Sequence, residues 1–406
     1  MAPSARSSRR SGPTFRLTAK RARPGRVATM RDNGAVASDP SERGRAWALA
    51  NGSRRGPIRL AHPGSNLRIG PLVPLRREDT EAIEDAAMTA GATRAVGAGR
   101  RPVQEAPDAW RTCFERDRDR IVHSTALRRA AGKTQVFIAP ANDHLRTRLT
   151  HALEVAQVAV AMASSLRLNV ALTQAIALAH DCGHGPFGHA SEDAFSPYVP
   201  GGYDHAVWGA DVTLADLNLC DETVDGVRNH SWSRPSPPRT PEGAVTSLAD
   251  RVAYCCHDLD DALRSSLVHS RQVPAVVREL CGETRSQQIG TFIAAVVEAG
   301  AKTGRIGMME AEAAALAELR AFLYERVYLR PESLAQREAV IPLLRNLVEH
   351  FAEGGLPPGV QPARGLVADP LAAAVRYVSG MTDRFALRLA VEHLGWDPRR
   401  IPLSAA

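Results

Sequence analysis

The segment Ala171-Leu172-Thr173-Gln174-Ala175-Ile176-Ala177-Leu178-Ala179 carries apolar residues around its whole circumference and runs straight into His180-Asp181-Cys182-Gly183-His184-Gly185-Pro186-Phe187-Gly188-His189. A helix that is apolar on every face is buried. The chain must therefore wrap this helix and take the ionisable groups at its end into the interior. That is costly unless a metal or partner charges compensate. An adjacent His-Asp pair offers a divalent ion an imidazole and a hard oxygen from one short segment. For one such pair alone, a satisfied histidine beside a helix end is the ordinary outcome. Three histidines set among glycines reverse that judgement and point to a metal site.

The rest of the composition agrees with a helical fold. Aromatic residues make up 5% of the 406-residue chain, and strand-like alternation is scarce. The length suits one large domain or two ordinary ones. Six cysteines (Cys113, Cys182, Cys220, Cys255, Cys256 and Cys281) form no C-x-x-C pair, so neither a disulfide framework nor a structural zinc is indicated. A reducing, cytoplasmic setting is expected. The longest apolar stretch, Val155 to Leu166, is too short for a bilayer, and residues 1–30 lack the apolar core of a secretory signal, so no membrane partner is expected.

The net charge of +7 is unevenly placed: residues 1–107 hold 20 basic and 9 acidic residues, and the remainder 31 and 35. This Arg/Gly/Pro/Ser-rich tail shows no sustained apolar period, so disorder is expected over residues 1–107. Two readings stand for it: a basic arm for single-stranded nucleic acid, or an unselected extension ahead of a later start such as Met88. Order is expected from Asp108. The charge-dense run Trp110–Ile121 reads as a solvated helix face, and Asp143 as the N-cap of a helix carrying Arg148 and His151 on one side. Gly201–His205 reads as a loop, Trp208–Leu217 as a short helix, and residues 230–243 as a proline-rich surface connection. Ser247–Leu263 reads as a helix with Asp250, Tyr254, Asp258 and Asp261 along one stripe. Residues 309–326, 333–353 and 371–393 read as packing helices. No Walker loop, dinucleotide fingerprint, H-E-x-x-H helix or G-x-S-x-G elbow occurs.

The order H…HD…D, here His151, His180-Asp181 and Asp250, resembles the HD-domain metal phosphohydrolase superfamily. Arg118-Asp119-Arg120-Ile121, Lys133-Thr134-Gln135-Val136-Phe137, Arg146–His151, the G-H-x-P-F-G-H continuation, Asp250–Tyr254 and Gly380-Met381-Thr382-Asp383-Arg384 extend the resemblance. Together they are similar to the dNTP triphosphohydrolases, the family of deoxyguanosinetriphosphate triphosphohydrolase. The resemblance implies an all-α HD-domain helical bundle, with a catalytic core over residues 108–270 and a C-terminal helical region, 271–406, that completes the substrate pocket. It implies hydrolysis of dGTP or another dNTP to a deoxynucleoside and tripolyphosphate, usually by a homo-oligomer. The metal ligands fall on His151, His180, Asp181 and Asp250, and Arg148 on the phosphate-binding arginine. His184, His189 and Glu192 fall on positions at the α-phosphate, with His189 and Glu192 as the proton-transfer pair, and His205 on a further histidine near the phosphates. Tyr254, Asp258, Gln135 and Tyr377 fall on substrate-facing positions. The long tail and the short stretch before Asp250 depart from the family pattern.

The donor types agree with this on their own terms. Two imidazoles and two carboxylates suit Mg²⁺, Mn²⁺, Fe²⁺, Co²⁺ or Ni²⁺, with a further Mg²⁺ able to travel with the triphosphate. Two other readings compete: an HD nucleotidase or phosphodiesterase acting on other nucleotides, and a nucleotide-sensing or nucleic-acid-binding module that binds without turnover.

Overall fold

The computed structural model describes residues 54–55, 58–61, 66–136, 144–360, 369–397 and 399. It divides into two units, Met1–Val73 and Pro74–Ala406. In the first, β1 (Arg54–Arg55) pairs antiparallel with β2 (Ile58–Arg59). Residues 1–53, about half of the stretch expected to be disordered, lie outside the described residues.

The second unit is built of helices: α1 (Arg77–Ala87), α2 (Cys113–His123), α3 (Thr125–Arg129), α4 (Arg148–Ser165), α5 (Val170–Ala179), α6 (Ala190–Phe195) and α7 (His205–Trp208) come first. They are followed by α8 (Asp221–Arg228), α9 (Pro241–Arg264), α10 (Arg285–Thr303), α11 (Glu310–Leu323), α12 (Pro331–Gly354), α13 (Pro370–Ser379) and α14 (Asp383–Leu394). The all-α expectation holds. Among the described residues, no helix is long and apolar enough to cross a membrane.

Asn169 starts α5 by accepting the Leu172 N–H at 3.0 Å, which satisfies one of the donors a helix start leaves free. Every α5 residue but Val170 and Gln174 is buried. Around it pack α2, α4, α8 and α9, whose Val155, Met162, Val252 and Leu259 form the main core. A second apolar cluster joins Phe187 and Phe195 to α12, α13 and α14 through Leu343, Leu347, Val378 and Met381. The central histidine segment is thus pinned between two cores.

Several boundaries differ from expectation. Asp143 lies outside the described residues, and the N-cap of α4 is Thr147, reached through an antiparallel bridge to Thr134. The helix bearing Asp250 begins at Pro241, not Ser247; Pro fits the first helical turn, and Thr240 Oγ1 caps it from the Gly243 N–H at 3.1 Å. The expected helix over Trp208–Leu217 is one α turn, a π turn over Gly209–Thr213 and a 3₁₀ turn over Ala215–Leu217. Close packing shapes it: a Cβ on Gly183 would lie 2.0 Å from the His205 carbonyl oxygen and 2.4 Å from the Gly209 nitrogen.

The expectation that order starts at Asp108 is corrected by α1 and the segment after it. Thr93 donates from its backbone N–H, at 3.0 Å, and its hydroxyl, at 2.6 Å, to the buried Glu242 carboxylate. Arg101 forms a fully buried ion pair with Asp117 and donates to the Cys113 carbonyl at 2.8 Å. Small residues and distant polar partners hold this stretch, and neither leaves an apolar period in the sequence.

Candidate metal and phosphate-binding centre

The end of α5 delivers His180 and Asp181 into the interior, α4 brings Arg148 and His151, and α9 brings Asp250. His151 Nε2 lies 3.1 Å from Asp250 Oδ1 and 3.8 Å from Asp181 Oδ2. His180 Nδ1 donates to the Ala177 carbonyl at 2.7 Å, which turns Nε2 towards Asp181 Oδ1 at 3.5 Å and Asp250 Oδ1 at 3.6 Å. The four side chains the resemblance pointed to therefore share one space.

The electrostatics test whether a cation fits there. Burial disfavours a charged His180, yet Asp181 and Asp250 outweigh it and lift its pKa to about 9. Burial would likewise raise both carboxyls, but His180 and Arg148 hold Asp181 well below its usual range, and His151 and His180 do the same for Asp250. A buried carboxylate and a half-buried one facing one imidazole nitrogen call for positive charge at this point. A proton on Nε2 meets the demand in part. A divalent cation meets it fully, with that nitrogen deprotonated and ligating. The donors fit a metal.

Arg148 is the largest fully buried side chain among the described residues. Its Nη1 donates to Asp181 Oδ2 at 2.7 Å, while Nε and Nη2 find no hydrogen-bond partner among the described residues. Gly188 makes room for it: with φ at +64°, a Cβ there would lie 2.6 Å from Nη2. A buried guanidinium with two unmatched nitrogens is a receptor for anionic oxygens.

Beside this set, His184, His189, Glu192 and His205 place one ligand atom each within 4.8 Å of one another. His184 Nε2 is 3.3 Å from Asp181 Oδ1, and its ring stacks on His205 at 3.8 Å. Burial, with Arg148 and His205 nearby, holds His184 well below the ordinary histidine range. Glu192 Oε1 lies 3.3 Å from His189 Nδ1 but 2.5 Å from His205 Nδ1, so it serves both rings and the second more closely. Burial works against a charged His205, and Glu192 outweighs it and raises the pKa. His189 is 68% exposed and free to reach a ligand.

On α9, Tyr254 accepts a hydrogen bond from Arg320 Nε at 2.9 Å, and Asp258 accepts one from the Tyr328 hydroxyl at 2.6 Å. Burial lifts Asp258 to about 7. Asp261, the last member of the stripe, is instead paired with Arg146. Gln135 is half-buried, with Oε1 unpartnered among the described residues, and directly follows Thr134, whose carbonyl lies beside Gly188. Tyr377 packs its ring edge-on against Phe351 at 5.0 Å in the second core, and it lines a cavity with Lys133, Cys182, Trp208 and Phe385. Tyr328, the last residue of the π turn that follows α11, is the tyrosine at Asp258.

His230 was placed in a surface connection by its prolines, yet it is buried. Its ring lies 4.9 Å from that of His180, and its Nε2 is 3.3 Å from His205 Nε2. It forms a further three-residue donor group with His180 and Asp181. Burial, with His180 and His205 beside it, lowers its pKa to about 4. The available signal was its position just after α8, the same helix-to-histidine junction as Ala179-His180.

A buried His-Asp pair closing a central helix, completed by a histidine and an aspartate from two neighbours, defines an HD-domain hydrolase. The HD domain family matches residues 148–255, and the phosphohydrolase-associated domain matches residues 306–392. A deoxyguanosinetriphosphate triphosphohydrolase-like protein of Caldanaerobacter subterraneus subsp. tengcongensis is 37% identical over 319 residues, 77% of this chain and 93% of that one. Another from Desulfatibacillum aliphaticivorans is 39% identical over 314 residues, 70% and 88% of the two chains. One from Clostridium tetani is 33% identical over 336 residues, 77% and 94%. The chain belongs to the deoxyguanosinetriphosphate triphosphohydrolase-like family.

Proposed function

We propose that the chain hydrolyses a deoxynucleoside triphosphate at the α-phosphorus, releasing deoxynucleoside and intact tripolyphosphate. The observation that carries this reading is the pairing of two groups: a His/Asp set suited to a cation, and an adjoining histidine-glutamate set with the unmatched Arg148 guanidinium between them. A divalent ion held by His151, His180, Asp181 and Asp250 would polarise a phosphoryl oxygen and lower the pKa of bound water.

The side chains account for the remaining demands of the reaction. Arg148 offers two buried N–H directions to the triphosphate, in a dry setting where such bonds are strong. His205, bonded to Glu192 through Nδ1, presents its other ring nitrogen on the same side. The leaving nucleoside 5′-oxygen needs a proton, and His189, oriented by Glu192, is the group free to deliver it. Tyr254 and Asp258, with Tyr328 against Asp258, form the wall proposed to meet the sugar, and Gln135 adds an acceptor oxygen near the phosphates. Anion-exchange identification of products from a panel of dNTPs, with Mn²⁺ or Mg²⁺, tests the proposal. Tripolyphosphate is the expected product; orthophosphate or a ring-opened nucleotide would transfer the chain to the nucleotidase or phosphodiesterase reading, and binding without turnover to the sensing one.

A further inference from the structure

The segments Lys133-Thr134-Gln135 and Met381-Thr382-Asp383 lie far apart in sequence, and the chemistry above gives neither Lys133 nor Asp383 a task. The fold joins them on the histidine loop. Asp383, buried in the first turn of α14, accepts the Thr134 N–H through Oδ2 at 2.8 Å, the Thr134 hydroxyl through the same oxygen, and the Phe187 N–H through Oδ1 at 2.8 Å. Lys133, also buried, donates from Nζ to the His184 carbonyl and, at 2.9 Å, to the Ser379 carbonyl at the end of α13. The backbone carbonyl of Lys133 accepts the Arg148 N–H at 3.3 Å.

The segment held in this way is strained. Phe187 has φ at +63° and Gly188 at +64°, and a phenylalanine in the left-handed region persists only where its surroundings over-determine it. Its ring is buried in the second core, and its N–H is fixed by the Asp383 carboxylate. Packing alone needs only apolar residues at these positions. A buried lysine aimed at two backbone carbonyls and a buried carboxylate taking three donors instead fix the backbone to a set path. That path leads from the His184 carbonyl through Phe187 and past Gly188, which lies against the Arg148 guanidinium, to His189.

We propose that Asp383 and Lys133 are positioning residues: through the His184 carbonyl and the Phe187 N–H they hold the histidine loop so that His184, His189 and Arg148 face one space. The C-terminal helices thereby reach the reaction without supplying a group that touches substrate. The inference rests on the proposed role of the histidine loop, so its test includes a readout that needs no substrate.

The test compares the full-length chain with Asp383→Asn and Thr134→Val, by hydrogen exchange of the peptide spanning residues 183–190 and by dNTP turnover with Mn²⁺. Asp383→Asn turns one acceptor into a donor facing an N–H, and Thr134→Val removes a single hydroxyl at constant shape, which carries the test if the first variant does not fold. Loop exchange should accelerate by about tenfold or more while α4 peptides stay unchanged, as expected for a local opening. Turnover should fall by about 10²-fold, the cost of a small misplacement, with Mn²⁺ content and dNTP affinity within about threefold of the parent. Thr134→Ser should restore both exchange and turnover. Unchanged loop exchange in a folded variant overturns the inference, as does turnover within about twofold of the parent, or a loss of Mn²⁺ and of protection throughout the chain. If the parent chain itself forms no tripolyphosphate, the proposed reaction fails, and exchange alone decides whether the loop is held by these residues.

Discussion

In the proposed mechanism, replacing His189 by alanine separates proton delivery from every other function of the site. The side chain is 68% exposed, and its described hydrogen-bonding partner is Glu192 Oε1 at 3.3 Å. Removing so exposed a group changes stability by no more than about 0.5 kcal/mol. None of His151, His180, Asp181 and Asp250 is bonded to it, so metal content should stay at the parent value. Arg148 keeps its bond to Asp181, so dNTP affinity should also persist. What the proposal has the variant lose is the acid for the 5′-oxygen, worth about 10²–10⁴ in rate. That corresponds to roughly 2.7–5.5 kcal/mol of transition-state stabilisation. The assay is tripolyphosphate release at saturating dNTP, with metal measured by atomic emission and binding by calorimetry. Glu192→Gln should give a loss in kcat as well, felt through both His189 and the nearer His205. Near-normal turnover by His189→Ala refutes the assignment, and a dead His184→Ala or His205→Ala beside it would show which ring holds the proton.

Three further outcomes follow from the geometry. Truncation to start at Arg76 should leave turnover intact, whereas a start at Asp108 should lower stability by about 3–5 kcal/mol, because it strips Arg101 from the buried Asp117 carboxylate; thermal melts of the two chains decide this. Arg148→Met leaves the Asp181 carboxylate without its 2.7 Å partner, so the metal-free chain should melt earlier, and added Mn²⁺ should restore more of the loss than it adds to the parent. Asp258 sits at about 7 because burial raises it, so its folded pKa exceeds its unfolded one. Its stabilising contribution is therefore complete below about pH 4 and lost as pH rises through 7, and Asp258→Asn should flatten the fall of the melting temperature across that window.

The candidate metal set was legible because its spacing and order are constrained by chemistry: four donors of the right types occur in one sequence order, and the apolar α5 forces two of them inward. Arg148 was legible for the same reason, one turn ahead of His151 on α4. Four other features left weaker traces. His230 was hidden by the prolines that follow it, although its burial is set by the α8 end that precedes it. Tyr328 and Tyr377 are both tyrosines in helical C-terminal segments, and only the packing of α11 against α9 selects the first for Asp258. The ordered stretch between Ala87 and Asp108 is held by single polar contacts such as Thr93 to Glu242, which have no periodicity to read. Glu192 was found by its i+3 spacing to His189, but its shorter bond to His205 bridges a loop that no local pattern encodes.

The central claim is attack at the α-phosphorus with the nucleoside 5′-oxygen leaving, so that the triphosphate is released whole. Turnover of a dNTP in H₂¹⁸O, followed by ³¹P NMR of the products, tests it in one step. The account predicts a single tripolyphosphate carrying the label on a terminal phosphorus, beside a deoxynucleoside with an unlabelled 5′-hydroxyl. Label in orthophosphate, in a nucleoside monophosphate or in the 5′-hydroxyl would contradict it.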